Sequence, residues 1–555
     1  MSPTKLIEIA GGLNNIQRIL IDGSNLSLSL INPVEEPLLD NNAKIEKVAQ
    51  EWQLTVRTDD ELNAKALELL SDQLAERHKD EVNKLSVQDC SFRPTWHISP
   101  PCGLLNDPNG FIFHQGKYHL FYQWNPFACT HKDKYWAHLT STDLLSWQWH
   151  EPSLTPSHWY DSHGAFSGHA VSHESELYLF YTGNSRLGHD QSRRTTQCLA
   201  KSSDGIHFDK LGPIIDTVPQ GLTQHFRDPK VYFRCGRWNM LLGAQTAALE
   251  GRLAHYQSDD LLNWTYQGLL GSELGDLGYM WECPDFFELS DQPFVVIGPQ
   301  GIPSPSKHDT NPHQNRIFLV QDSTNNGFTF KQGWALDHGF DFYAPQTTLA
   351  KDGRRVLVGW MGLPDDVEQP SVANGWIHQL TCVRELQYVN GKIIQTPARE
   401  LERLMTEPFT QELGTTPIHL NTRAFELSIS LDNDCQLIMA DDNQHQVVLS
   451  FASCTQTFRF DRSNTLMTNG DSIREVTEVG HKIDVTILAD SSSLELFINK
   501  GEIVMSGRVF LSPGATHFSL LGGNKSVVIR KVMPCSPPFL PLSSKPKETL
   551  HELHF

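Results

Sequence analysis

The sequence predicts an all-β protein: a five-bladed β-propeller followed by a C-terminal β-sandwich, with a small mixed, partly helical N-terminal extension. Three observations carry that prediction. Five short apolar runs recur, Tyr118–Tyr122, Leu177–Tyr181, Trp238–Leu242, Pro293–Ile297 and Arg355–Gly359. With Phe121, Phe180, Leu241, Val296 and Val358 as markers, the steps are 59, 61, 55 and 62 residues. A turn of Ser, Asp and an aromatic recurs at Ser141–Trp147, Ser202–Phe208 and Ser258–Trp264. Such a period, with turn signals inside each unit, is the signature of propeller blades. Farther along, Ala424–Leu431 and Leu494–Ile498 alternate apolar and polar residues as half-buried strands do.

Taken in order, residues 1–90 read as an accessory segment. Ile16 to Ile31 suits a hairpin around Asp22-Gly23. A helix is expected over about 59–85, where Leu62, Ala66, Leu69, Leu70, Leu74, Val82 and Leu85 fall at helical spacing behind Asp59 or Asp60 as N-cap. Residues 91–404 form the propeller, with turns such as His114–Lys117 and Lys351–Arg354 ahead of the apolar runs. Residues 405–416 are polar and read as a linker. Residues 417–535 form the sandwich, with Val447–Phe451 as a core run and Asn499–Gly501 as a turn. Residues 536–555, proline-rich at first, read as a packed tail.

Composition narrows the function. At 555 residues the chain exceeds a single hydrophobic core. A net charge of −20 disfavours nucleic acid and anionic membranes as partners. No run approaches the roughly 18 apolar residues of a membrane span, and the first residues lack signal-peptide character. The ten cysteines include no Cys-x-x-Cys pair, which argues against a zinc ribbon or disulfide framework. The expected address is the cytoplasm. A small-molecule substrate is expected, with no metal and no organic cofactor, and the N-terminal segment is a candidate contact for a homo-oligomer.

The chemistry lies in three acidic motifs: Asn106-Asp-Pro-Asn-Gly110, Arg227-Asp-Pro229 and Trp281-Glu-Cys-Pro-Asp285. Asp107, Ser167, Asp228, Glu282 and Ala344 stand 60, 61, 54 and 62 residues apart, in step with the apolar markers. Each therefore sits at the same phase, just before the first strand of its blade, and since that strand lines the propeller axis the three carboxylates converge on one pocket. Crowded carboxylates push their pKa values apart, which is what glycoside hydrolysis needs: one ionised nucleophile and one protonated acid. The motifs lack the Asp-x-Asp-x-Asn spacing of a calcium loop. Taken singly, Asp-Pro and Asn-Gly are ordinary turn formers; their shared phase argues for a site.

Those motifs, with Phe166-Ser-Gly168 and Asp341-Phe-Tyr-Ala-Pro-Gln346 in the same order, resemble glycoside hydrolase family 32, the invertases, fructanases and sucrose-6-phosphate hydrolases. Gly103-Leu-Leu-Asn-Asp107, Cys129-Thr-His131, Gly278–Asp285 and Gly375–Gln379 look most like the bacterial sucrose-6-phosphate hydrolases. The resemblance implies a five-bladed propeller with a β-sandwich, and a retaining β-fructofuranosidase. It implies Asp107 as nucleophile, Glu282 as general acid/base and Asp228 as the group that binds fructosyl hydroxyls. It further implies a sugar pocket of Leu104, Leu105, Asn106, Gln123, Trp136, Phe166, Ser167, Arg227 and Trp360. Leu104-Leu105 replaces the Trp-Met of many members. Glu282 is expected to be crowded by carboxylates and aromatic walls that raise its pKa toward the working pH, and Cys283 reads first as a small buried residue.

The implied substrate is sucrose 6-phosphate, with sucrose beside it. A phosphate needs cations at the rim, and the candidates are His131, Lys132 and Lys134, then Arg193, Arg194 and Lys230. A general sucrose or fructan β-fructofuranosidase, a fructosyltransferase and a noncatalytic sugar-binding propeller are the competing readings. Retention of all three carboxylates counts against the last.

Overall fold

The computed structural model describes residues 3–22, 25–34, 43–57, 60–87, 90–303, 311–322, 327–366, 368–467, 470–514 and 516–535. The expected tail 536–555 and the Asp59 cap lie outside the described residues. The all-β expectation is met. From Gly103 to Pro397 the chain builds five successive antiparallel sheets. Their first strands are Gly103–His114, Ala165–His173, Leu222–Arg234, Met280–Leu289 and Tyr343–Leu349. These five strands touch in a ring, each packing on the next and the fifth on the first.

The periodic apolar runs are the second strands, and their markers seal the interfaces between sheets. Phe121 packs with Leu179 of the second sheet, Phe180 with Met240 of the third, and Leu241 with Val295 of the fourth. Val296 packs with Leu357 of the fifth, and Val358 returns to Tyr122 of the first. One apolar face per strand would be stranded without the next sheet, so the repeat is stable only as a set. A short parallel pairing of Trp376–Ile377 with Gly103–Leu104 ties the last unit to the first. The three Ser-Asp turns share one cause: Asp143, Asp204 and Asp260 each accept backbone N–H groups two and three residues ahead.

The N-terminal segment forms a four-stranded sheet in the order Ile16–Asp22, Asn25–Leu30, Glu51–Arg57, Ala43–Val48, so the expected hairpin is present. The helix runs Asp60–Asn83, and its Leu67, Leu70 and Leu74 pack on Leu28, Leu54 and Val56. This module is docked. Asn83 donates to Glu151 at 3.0 Å, and Arg18 donates to Asp133 at 2.7 Å.

Two six-stranded sheets follow and share one core, with Phe425, Leu427 and Ile487 from one facing Leu437, Phe458 and Leu520 from the other. The expected linker needs correction. Within 405–416, Phe409–Leu413 is an edge strand paired to Lys525–Lys531. Four of its five residues are exposed, so no burial imposed an alternation that could betray it. The sandwich grips the fifth sheet through Asp341, which accepts from Arg462 Nη1 at 2.5 Å and from the Arg508 backbone at 2.7 Å.

Candidate active site

The five positions expected just ahead of the first strands lie inside them, and each strand carries a register shift there: it spans Asp107, Ser167, Asp228 and Ala344, while Glu282 is still paired and stands one residue ahead of its bulge at Cys283. A β-bulge re-aims a side chain out of the pleat and is favoured beside active sites. Backbone in the left-handed region marks three of the bulges, with φ of 66° at Asp228, 44° at Cys283 and 48° at Ala344. The five bulges open on one cavity of about 570 Å³, whose lining includes Asp107, Asp228 and Glu282.

The three carboxylates are held differently. Ser167 Oγ donates to Asp107 Oδ2 at 2.5 Å. Asp228 Oδ2 accepts the Cys283 backbone N–H at 3.0 Å. Cys283 Sγ lies 3.6 Å from Oδ2 of both aspartates; burial keeps its thiol protonated, so it serves as a shared neutral donor. Glu282 accepts from Arg227 through Nε at 2.9 Å and also through Nη2, from Gln300 at 2.7 Å and from the Tyr343 hydroxyl at 2.9 Å. Its surroundings are thus polar donors rather than the expected aromatic walls.

Burial, reinforced by the Glu282 charge, raises the Asp107 pKa against the pull of Ser167, Lys134 and Asn106. Burial likewise lifts Asp228 to about 7, with Arg227 opposing and the other two carboxylates assisting. The cluster therefore retains a proton near neutrality, and its titration belongs to the group rather than to one residue.

Beneath Asp107 runs a relay. Lys134 Nζ donates to Asn106 Oδ1 at 2.6 Å, Asn106 Nδ2 to Gln123 Oε1 at 2.9 Å, Gln123 Nε2 to Ser167 Oγ, and Ser167 to Asp107. Burial brings Lys134 down to about 7 while Asp107 pulls the other way.

The family model for the glycosyl hydrolases family 32 N-terminal domain matches residues 97–397, and the family's C-terminal model matches 399–532. The chain belongs to glycoside hydrolase family 32. It is 51% identical over 535 residues to a probable sucrose-6-phosphate hydrolase of Vibrio cholerae, covering 96% of this chain and 98% of the relative. A sucrose-6-phosphate hydrolase of Salmonella typhimurium is 42% identical over 436 residues, or 76% of this chain and 89% of that one. Among solved structures, a sucrose-6-phosphate hydrolase from Lactobacillus gasseri matches with a TM-score of 0.76 at 29% identity, covering 82% of this chain and 96% of that one. A Bombyx mori GH32 β-fructofuranosidase matches with 0.75 at 31% identity, covering 84% and 99%.

In this family 32 chain, Asn106, Gln123, Phe166, Arg227 and Trp360 line the cavity with the carboxylates, and Ser167 reaches it through Asp107. Leu104, Leu105 and Trp136 do not. The two leucines are fully buried in the first sheet, and Trp136 sits behind Phe166, donating to its carbonyl at 3.0 Å. The phosphate candidates scatter. Lys132 is exposed at the rim, whereas Lys134 is buried in the relay. His131 is exposed at the rim with Nδ1 3.3 Å from Lys134 Nζ, whose charge helps to lower its pKa. Lys230 is buried 2.5 Å from Asp285, and Arg194 lies over Trp159 with its guanidinium 4.8 Å from the ring.

Sequence reasoning missed Tyr343, Gln300, His163, Arg186 and, from the N-terminal module, Arg18 and Glu51. Tyr343 was within reach, since it directly precedes Ala344 at the fifth phase position.

Proposed function

We propose that the protein is a retaining β-fructofuranosidase that hydrolyses sucrose 6-phosphate, and sucrose less well, to fructose and glucose 6-phosphate or glucose. The observation that supports it is the convergence of Asp107, Asp228 and Glu282 on one cavity, at or directly beside three bulges. The names of the relatives, and a sucrose complex of the Bombyx mori enzyme, point to the same substrate class.

In the first step Asp107 attacks the anomeric carbon of the fructosyl ring. The bond to the glucosyl oxygen breaks, and that oxygen takes a proton from Glu282. In the second step water attacks the same carbon, Glu282 takes the water proton, and the ester to Asp107 breaks. Two inversions retain configuration, which requires the two carboxyls about 5–5.5 Å apart in the complex. Asp228 and Arg227 bind ring hydroxyls, and Phe166 and Trp360 flank the sugar. Charge distribution supports these roles. The relay from Lys134 steadies an ionised Asp107.

On this reading the five sheets are blades of a five-bladed propeller over residues 91–404, the sandwich begins with the 409–413 strand, and residues 1–90 are an accessory module. A phosphorylated disaccharide is made and kept inside cells, which supports the cytoplasm as its address. The test compares kcat/KM for sucrose 6-phosphate and sucrose without added metal. A tenfold preference for the phosphate equals about 1.4 kcal/mol of transition-state binding. No turnover of either substrate would defeat the proposal, and growing oligofructosides at high sucrose would replace hydrolysis with transfer.

A further inference from the structure

We propose that Arg186 and Arg193, paired across one hairpin at the cavity wall, form the site that binds the glucosyl 6-phosphate. The inference rests on the reading above and names its specificity determinant.

The two residues lie on Glu176–Leu187 and Ser192–Ser202, and the register sets them directly opposite each other. Like charges directly opposite on an antiparallel pair are destabilising. Both half-buried side chains line the cavity that holds Asp107 and Glu282. Among the described residues neither makes an ion pair; Arg186 Nη1 has only a backbone carbonyl at 3.4 Å, and the Arg193 guanidinium lies 5.8 Å from the Phe166 ring centroid. Burial, then the charges of Arg227 and Arg186, pull Arg193 down to about 10 against Glu282 and Asp228, so the pair carries positive charge with no carboxylate in direct contact among the described residues. A doubly charged phosphate relieves that repulsion, and paired guanidinium forks match its oxygens.

The other cations at the cavity are engaged or displaced. Arg18 is paired with Glu51 and Asp133, Arg227 with Glu282, and Lys134 is bonded to Asn106. His163 is neutral, pushed by burial to about 3. Lys132 remains as an exposed single charge without a fork. The hairpin pair is thus the strongest anion acceptor on the wall beside Phe166.

The experiment measures the ratio of kcat/KM for sucrose 6-phosphate to that for sucrose, so that general damage to the pocket cancels. The wild-type ratio tests the reading above: a value near one removes the phosphate from the substrate and this inference with it. Given a wild-type preference, Arg186→Met and Arg193→Met should each lower the ratio about tenfold, or about 1.4 kcal/mol. The double variant should approach one. Arg193→Lys should recover part of the ratio, since a point charge survives without the fork. Inhibition by glucose 6-phosphate should weaken in parallel. A double variant that keeps the wild-type ratio overturns the inference, as does a ratio that collapses only in Lys132→Ala.

Discussion

Lys134 Nζ and the Asp107 carboxylate are the two ends of one directional hydrogen-bond chain that passes through Asn106, Gln123 and Ser167. Every member donates toward the aspartate, so the charge on Lys134 polarises each successive bond. The chain links two strands of the first sheet to the bulge of the second. It also explains why a lysine that reads as a phosphate ligand is buried beneath the pocket.

Lys134→Met should test that position. Lys134 lowers the Asp107 pKa, so its removal raises that pKa further and shifts the acid limb of kcat/KM to higher pH. The freed Asn106 oxygen loses a charged donor, a cost of about 1–3 kcal/mol. The preference for sucrose 6-phosphate over sucrose should stay as in the wild type. A selective loss on the phosphate substrate would make Lys134 a phosphate ligand after all.

Asp107→Ala should abolish both steps, because on the proposed mechanism Asp107 forms and then releases the fructosyl ester. Glu282→Gln should lower kcat about 10²–10⁴-fold on sucrose, the usual worth of acid/base assistance. With a fructosyl donor whose leaving group needs no proton, the first step should recover in Glu282→Gln and stay absent in Asp107→Ala. Burst kinetics on such a donor separates the two, and recovery in Asp107→Ala would invert the assignment.

The phase of Asp107, Ser167, Asp228, Glu282 and Ala344 was legible because one-dimensional spacing becomes angular position once each repeat is a sheet. The bulges were not, since a bulge depends on cross-strand register that no single strand encodes. Arg193 was a candidate cation in the sequence, but Arg186 belongs to an unremarkable hairpin until the register pairs the two, and Arg18 arrives from a module with no catalytic motif. Leu104, Leu105 and Trp136 were carried over by position in a motif. Position does not tell which side of a pleated strand a residue faces.

Asp228→Asn should stabilise the protein at alkaline pH. Its carboxyl titrates near 7 in the native state against 3.8 as an unperturbed group. Native protein thus binds the proton more tightly, and stability falls as pH rises from about 4 to 7. Asparagine keeps an oxygen for the Cys283 N–H and carries no charge. The gain at pH 8 has an upper bound of about 4 kcal/mol and should vanish near pH 4, while turnover drops sharply. Calorimetric Tm values at both pH values check this; an equal shift at both would rule out a charge origin.

The interface between the fifth sheet and the sandwich should also lose stability as pH rises. His97 is fully buried, with Nδ1 2.9 Å from Asp490 and Nε2 2.9 Å from Glu495. Burial alone would lower its pKa, but hydrogen bonds to the two carboxylates outweigh that and raise it. Glu495 is drawn down to about 2 against its own burial, chiefly by Arg384 and then by His97. A histidine with a raised native pKa stabilises fully below its unfolded value of about 6.5, and that contribution is lost as pH climbs through the native value. Glu495 acts at the acid end: its contribution is present above its unfolded value and lost as pH falls toward 2. Tm should therefore hold between these limits and decline on the alkaline side. His97→Gln removes the charge and leaves two buried carboxylates short of a cation, at a cost of about 3–5 kcal/mol. Its Tm should drop most near pH 6 and converge on the wild type as pH rises. Parallel Tm curves from pH 5.5 to 9 would show that His97 is neutral in the native interface. Activity should follow the same profile at elevated temperature, because Asp341, gripped by the sandwich, lies two residues from the tyrosine that donates to Glu282.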